Sequence, residues 1–304
     1  MVEADQAFSQ EISSKLAYRL AIPIGVLCLY AMMAALWLSG AHSLYFDALR
    51  LLGVEPFSFP FLDTHAVLAA AECARQGIEV YLSNPCDVLG RPHVYSPLWL
   101  AIVPGSLGTG ATGWMGASLD LVFLLSLAVV LRPRTARELL ILGAAVVSPM
   151  TVYALERANN DLVIFLLVIC GAILFTFPRP YRLFSYGLFV AVGLLKYYPL
   201  ALLVLAAREG RRDGLITAAA AILALVFFVV AFYPELSLAA ASIPGASYFT
   251  DAFSARNLPF GFAEALGKGV ARTLIAGSLL AALLGLAVAR MLRTVRLLER
   301  VQLD

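Results

Sequence analysis

An all-α, polytopic transmembrane helical bundle is the fold class this sequence predicts, and three observations predict it. Of 304 residues, 61% are hydrophobic and only 14% are charged, against about 25% charged in a soluble domain. Mean hydropathy is +0.86. Apolar runs near the length of about 20 residues that a spanning helix needs recur along the chain, and short clusters of Lys and Arg separate them. The net charge of +2 does not suggest a nucleic-acid partner.

Taken in order, the start "MVEADQAFSQEISSKLAYR" is polar and acidic, unlike a cleavable signal peptide. Residues 1–19 therefore read as a cytoplasmic tail, and the run 20–40 as a retained span. Further spans are expected at 113–131, 138–154, 160–177, 213–233 and 271–290. Residues 97–107 are too short to cross. Residues 183–207 are long enough but are interrupted by "KYYP". Basic residues favour the cytoplasmic side, and they cluster at 15–19, 132–137, 179–182, 208–212 and 290–300. With all five clusters inside, 183–207 must go up and come back as two half-helices, and 97–107 becomes a short interfacial or re-entrant helix. The segments at about 41–96 and 234–270 are then outer loops. The whole chain, 1–304, reads as a single membrane domain without internal repeats. Cysteines 28, 73, 86 and 170 show no metal-ligand spacing. Cys73 and Cys86 share a loop and are expected as free thiols, with pairing as the alternative in an oxidising compartment.

The unusual polar residues fall on the face opposite the basic clusters. In "FLDTHAVLAAAECARQG", Val67, Ala70, Ala71, Ala74 and Ile78 share one helical face, and His65, Glu72 and Gln76 another. This reads as an amphipathic helix along the outer surface. Asp63 at its start suits an N-cap or a catalytic carboxylate equally. His65 reads as a solvated surface residue or a site residue. In "YALERANNDLVIF", the pairs Glu156/Asn160 and Arg157/Asp161 stand four apart. They form either an exposed turn, with Asn159 or Asn160 as a helix cap, or the wall of a polar cavity. Lys196 lies inside an apolar run beside the helix breaker Pro199, and an intramembrane cation is by default a site candidate. Tyr197 and Tyr198 suit sugar stacking or an interfacial belt, and Tyr95 and Trp99 read as interface anchors. Asp251, Arg256 and Asn257 occupy the last outer loop, where the planar fork of Arg256 suits a phosphate. P-loop, dinucleotide-binding, zinc-protease and nucleophile-elbow motifs are all missing. No metal or other cofactor is expected.

The order of these elements resembles the integral-membrane glycosyltransferases of the GT-C class. An acidic residue in the first outer loop is followed by "YSPLW" (95–99), "ERANND" (156–161), a "K-x-Y-P" break (196–199) and a late Asn-bearing loop. Within that class the pattern is similar to the bacterial polyprenyl-phosphomannose-dependent mannosyltransferases that act on phosphatidylinositol mannosides. The resemblance implies a GT-C-like bundle in the bacterial inner membrane, acting on its non-cytoplasmic face. It implies a polyprenyl-phosphate sugar as donor and a lipid or glycan as acceptor, among membrane lipids. Asp63 would be the general base. Arg157, Lys196 and Arg256 would hold the donor phosphate. His65, Glu156, Asn160, Asp161, Tyr197 and Asn257 would contact the sugar or the acceptor. Many relatives continue through further spans, which leaves room for a partner subunit. A lipid or solute transporter, or a non-catalytic subunit of a membrane complex, is the alternative reading.

Overall fold

The computed structural model describes residues 2–243, with 2–16 as backbone alone, and a set of helical positions between 275 and 293. Every regular element among the described residues is helical. Three helices are long and apolar enough to cross a membrane: Ala17–Leu38, Thr109–Val130 and Arg211–Ala231. The bent pair Ala136–Val146 and Pro149–Glu156 makes up to four. The chain divides into two compact units, residues 1–170 and 171–304.

The first unit opens with α1 (Val2–Leu38), which carries Pro23 in its interior. The polar start is thus helical backbone continuous with the first span, where the sequence suggested a separate tail. After α1 come α2 (His42–Leu51), α3 (Leu62–Arg75), the five-residue α4 (Leu98–Ile102) and α5 (Thr112–Val130). They are followed by α6 (Ala136–Val146), α7 (Pro149–Glu156) and α8 (Asn160–Phe175). A core of Ile22, Val26, Phe123, Leu124, Leu127 and Leu162 joins α1, α5 and α8. A second cluster of Tyr45, Leu49, Val54 and Val152 closes α2 over α7.

Three expectations need correction here. The run 138–154 is two helices bent by 46°. Ser148 before Pro149 is extended, with φ −62° and ψ 152°, because the proline ring excludes the helical conformation from the residue ahead of it. Helix α3 does not lie along the surface: Val67 to Ala71 and Cys73 are all buried. Its polar face is docked on the segment that leads into α5. Glu72 Oε2 accepts from the Thr109 amide at 2.8 Å, and Arg75 donates to the Leu107 carbonyl. The hydrogen bonds from the Thr109 amide and hydroxyl hold Glu72 below the usual carboxylate range. Finally, Cys73 and Cys86 form a disulfide. The 76–86 loop returns to the C-terminus of α3, which sequence separation alone did not indicate.

The second unit contains α9 (Arg179–Leu195), a 3-10 helix at Tyr198–Arg208, α10 (Arg211–Ala231) and α11 (Tyr233–Ser242). The run 183–207 turns back on itself as expected, with α9 packed against the 3-10 helix. Its two basic clusters meet at one end. Arg179 chelates Asp213, with both contacts at 2.7 Å, and Arg182 chelates Glu209 at 2.8 and 2.9 Å. Helix α10 leaves Leu223, Phe227 and Val230 more than seven-tenths exposed. A helix with bulky apolar groups turned outward is suited to hydrocarbon rather than water. Within 271–290 the described positions are helical, and Gly277–Ala287 is apolar.

Candidate functional site

The first unit builds a polar contact between the start of α3 and the turn that joins α7 to α8. Helix N-termini leave their first N–H groups without intrahelical partners. At α3 the N-cap is Phe61, which offers no side-chain bond. Carbonyls of the distant turn do the capping: Glu156 O accepts from Phe61, and Arg157 O accepts from Asp63 at 3.1 Å and Thr64 at 3.4 Å. The Thr64 hydroxyl donates to the Ala158 carbonyl at 2.7 Å. Asp63 is therefore not a cap. Backbone carbonyls perform that task, and the carboxylate is left for other partners.

Those partners come from the same turn. Asn159 Nδ2 donates to Asp63 Oδ2 at 2.5 Å, and Arg157 Nη1 lies 4.0 Å from Asp63 Oδ1. The Asn159 carbonyl oxygen accepts the Asp161 amide at 2.8 Å, so one side chain caps α8 and grips Asp63. The Arg157 guanidinium is stacked between the rings of Phe57 and Tyr153, at 4.0 and 4.1 Å, with Nε 3.7 Å from Glu156 Oε2. Asp63, Glu156, Arg157 and Asn160 are all buried. The Asn160 amide nitrogen is buried without a hydrogen-bond partner, a donor that suits an incoming oxygen. Among the described residues, the non-glycine residues with positive φ are Phe61 (69°) and Ala158 (41°), and both flank this contact. Left-handed backbone at such residues costs on the order of 1–3 kcal/mol and tends to cluster at sites.

The surrounding shell is tied to the same helix. Arg91 Nε pairs with Asp87 Oδ2 at 2.8 Å, and its Nη2 donates to the Leu62 carbonyl at 3.2 Å. Burial and the nearby Asp63 and Asp161 carboxylates push the Tyr95 hydroxyl well above its usual range. His65 turns to α5 and the 76–96 loop. Its Nδ1 lies 3.1 Å from the Thr112 hydroxyl, and Nε2 accepts from the Val88 amide at 3.5 Å. Burial holds its imidazole below the ordinary value.

A half-open apolar cavity of about 340 Å³ adjoins the site, lined by residues of α1, α2, α5, α6 and α7. Phe61 and Glu156 line it from the site side, and Tyr30, Trp37, Tyr45 and Asp120 from the others. Asp120 is fully buried in α5 and faces the Tyr30 hydroxyl. The sequence reading missed Asp120, although a lone aspartate in an apolar run is the same signal that singled out Lys196. It also passed over Asn159 as a ligand of Asp63 and Tyr95 as a neighbour of it.

Of the anticipated site residues, Asp63, Glu156, Arg157, Asn160 and Asp161 come together, with His65 on the neighbouring face of α3. Lys196 and Tyr197 belong to the second unit. Lys196 ends α9 in extended backbone, with Nζ 5.7 Å from the Tyr198 ring centre, and Tyr197 is exposed. Arg256 and Asn257 lie outside the described residues, as does Asp251. No potential metal-binding group of three or more His, Cys, Asp or Glu occurs among the described residues. No protein-family model, no curated protein and no solved structure matches this chain.

Proposed function

We propose that this chain is a GT-C-like membrane glycosyltransferase. It moves a hexosyl group, mannosyl by the resemblance, from a polyprenyl-phosphate sugar to a lipid or glycan acceptor on the non-cytoplasmic face of the bacterial inner membrane. The observation that carries the reading is the buried Asp63 carboxylate, oriented by Asn159 and facing a stacked arginine. In this mechanism Asp63 takes the proton of the acceptor hydroxyl, and the oxygen attacks the anomeric carbon as its bond to the donor phosphate breaks. The electron pair leaves with the lipid phosphate, and Arg157 stabilises the new anionic charge in a site poor in water.

Two features support the assignment of the face. The Cys73–Cys86 disulfide belongs to an oxidising compartment. In the first unit, α1, α5 and α6–α7 each have one end near the site. At the other ends lie the basic stretches 15–19 and 132–137, as the positive-inside rule requires. The test is a glycolipid profile of a deletion strain rescued with Asp63→Asn. That variant keeps an oxygen for Asn159 to bond, so it is expected to fold and to lose transfer by about 10²–10⁴-fold. Wild-type transfer by a folded Asp63→Asn protein removes the assignment.

The buried Asp120 also favours a second reading, a lipid or solute transporter, since intramembrane carboxyls mark substrate and proton paths. Flux without sugar transfer in reconstituted vesicles identifies that case.

A further inference from the structure

We propose that the arginine cluster at one end of the second unit binds an anionic phospholipid with two phosphodiester groups, a lipid of the cardiolipin class, in the cytoplasmic leaflet. None of the residues assigned to sugar transfer takes part, so the site stands whether or not the chain is a transferase.

The start of α9, the end of the 3-10 helix and the start of α10 bring together Arg179, Arg182, Arg208, Arg211 and Arg212 with two carboxylates, Glu209 and Asp213. Positive charge is left in excess, and both acids are already engaged. Asp213 takes Nε and Nη2 of Arg179, and Glu209 takes Nε and Nη2 of Arg182. Glu209 also accepts from the Tyr186 hydroxyl at 3.2 Å, and its side chain is only 5% exposed. Paired bonds of this kind fix the plane of each guanidinium. Among the described residues, Nη1 of neither arginine has a protein partner. Arg179 and Arg182 stand three apart in the first turn of α9, which puts their Cβ atoms roughly 5–6 Å apart. Arg208 faces the Phe175 ring at 6.0 Å. Arg211 and Arg212 are exposed, with no acidic partner among the described residues.

The apolar surface beside the cluster decides which anion fits. Tyr181 and Phe184 on α9 and Leu215 and Ile216 on α10 are each more than half exposed, and each lies within four residues of one of these arginines. A soluble phosphate or an acidic protein tail leaves that surface in water. A phospholipid covers it with its acyl chains while its phosphates meet the arginines. Two fixed guanidinium groups one helical turn apart, with further cations beside them, match a headgroup in which one glycerol joins two phosphates. The leaflet follows from the distribution of charge. Helix α10 begins with Arg211 and Arg212, and no Lys or Arg occurs between 213 and 255. The basic end of this span therefore belongs on the cytoplasmic side, where basic residues at the membrane edge attract anionic headgroups.

The full chain, purified in detergent and freed of lipid, is titrated with cardiolipin, phosphatidylglycerol or phosphatidylethanolamine carrying the same acyl chains. Bound lipid is counted by native mass spectrometry at fixed ionic strength. Cardiolipin is expected to bind at least about tenfold more tightly than phosphatidylglycerol, and phosphatidylethanolamine more weakly than either. Replacing both Arg211→Gln and Arg212→Gln is expected to weaken cardiolipin at least about tenfold, since each arginine near an anionic headgroup contributes roughly fivefold. Neither side chain is paired with an acid, so the double variant is expected to keep its fold, which circular dichroism checks. Replacing the exposed Arg132→Gln and Arg134→Gln of the first unit is expected to change the affinity less than about twofold. Equal weakening by the two pairs marks a diffuse attraction of basic residues to anionic lipid and overturns the proposal. Unchanged binding in a folded Arg211/Arg212 variant, phosphatidylglycerol bound as tightly as cardiolipin, or displacement of cardiolipin by millimolar inorganic phosphate also overturns it. None of these readouts involves sugar transfer, so the outcome is separate from that of Asp63→Asn.

Discussion

Arg157 carries more of the site than its charge suggests. Its planar group fills the gap between Phe57 and Tyr153 while it faces both Asp63 and Glu156. A lysine keeps the charge and loses the stacking plane and the fork. Arg157→Lys is expected to lower thermal stability in detergent by about 2 kcal/mol. Steady-state kinetics are expected to show kcat/KM for sugar transfer reduced at least about tenfold. His93 makes a different kind of prediction. It is buried between Tyr81 and Tyr95, and burial brings its pKa down to about 4, below the ordinary 6.5. The unfolded chain therefore binds a proton that the folded chain refuses. Stability is complete above pH 6.5 and falls as the pH drops towards 4, by up to about 3 kcal/mol. Denaturation against pH is expected to show this slope in the wild type and to lose it in His93→Phe. Neither role is legible in the sequence. Nothing in "GRPHVY" marks a buried histidine, and the 156–161 segment suits an exposed turn as well as a cavity wall until its neighbours are known.

At the scale of elements, the decisive contact is the helix entry of α3. The glycine at 116 on α5 lets the Phe61 ring lie against the backbone, since a Cβ there would stand 2.3 Å from Phe61 Cγ. Gly116→Ala is expected to push Phe61 out of its left-handed position and move the start of α3. Thermal unfolding is expected to show a loss of about 1–3 kcal/mol, with transfer reduced together with stability. The amphipathic pattern of 62–78 was correct as a pattern and misleading as a location. Val67, Ala70 and Ala71 are buried as expected, but the face with His65 and Glu72 is docked on Thr112 and Thr109 rather than wetted. A polar side chain that caps another helix and one that faces water have the same letter code. The break at 196–199 was legible because Pro199 acts on its own backbone, whereas the bend at Ser148–Pro149 was not anticipated, although the same rule applies there.

For the whole molecule, the proposed orientation makes a labelling prediction. Val88 is exposed on the disulfide-bearing loop, and Arg134 sits beyond the far end of α5. In a background with Cys28 and Cys170 replaced by alanine, Val88→Cys is expected to react with an impermeant maleimide in intact spheroplasts, and Arg134→Cys only after lysis. The reverse pattern puts the site in the cytoplasm and removes access to a polyprenyl-linked donor on the outer face. Three of the expected spans, 20–40, 113–131 and 213–233, coincide with helices long and apolar enough to cross a membrane, because hydrocarbon imposes a length and an apolar composition that a single sequence displays, whereas 160–177 is the shorter helix Asn160–Phe175.

The sequence by itself therefore determined a helical chain, the approximate bounds of the three helices long and apolar enough to cross a membrane, and the break at 196–199. These are local properties, set by side-chain transfer energies and backbone sterics within one segment. Only the tertiary structure decided that Cys73 meets Cys86 and that the 156–158 carbonyls cap α3. It also decided that Asp63 is thereby released to Asn159 and Arg157, and that Asp120 faces a cavity. Each of these is a pairing of groups distant along the chain, made by the packing of α3, α5 and α7, and no periodicity within a single helix encodes which partner a polar group will find.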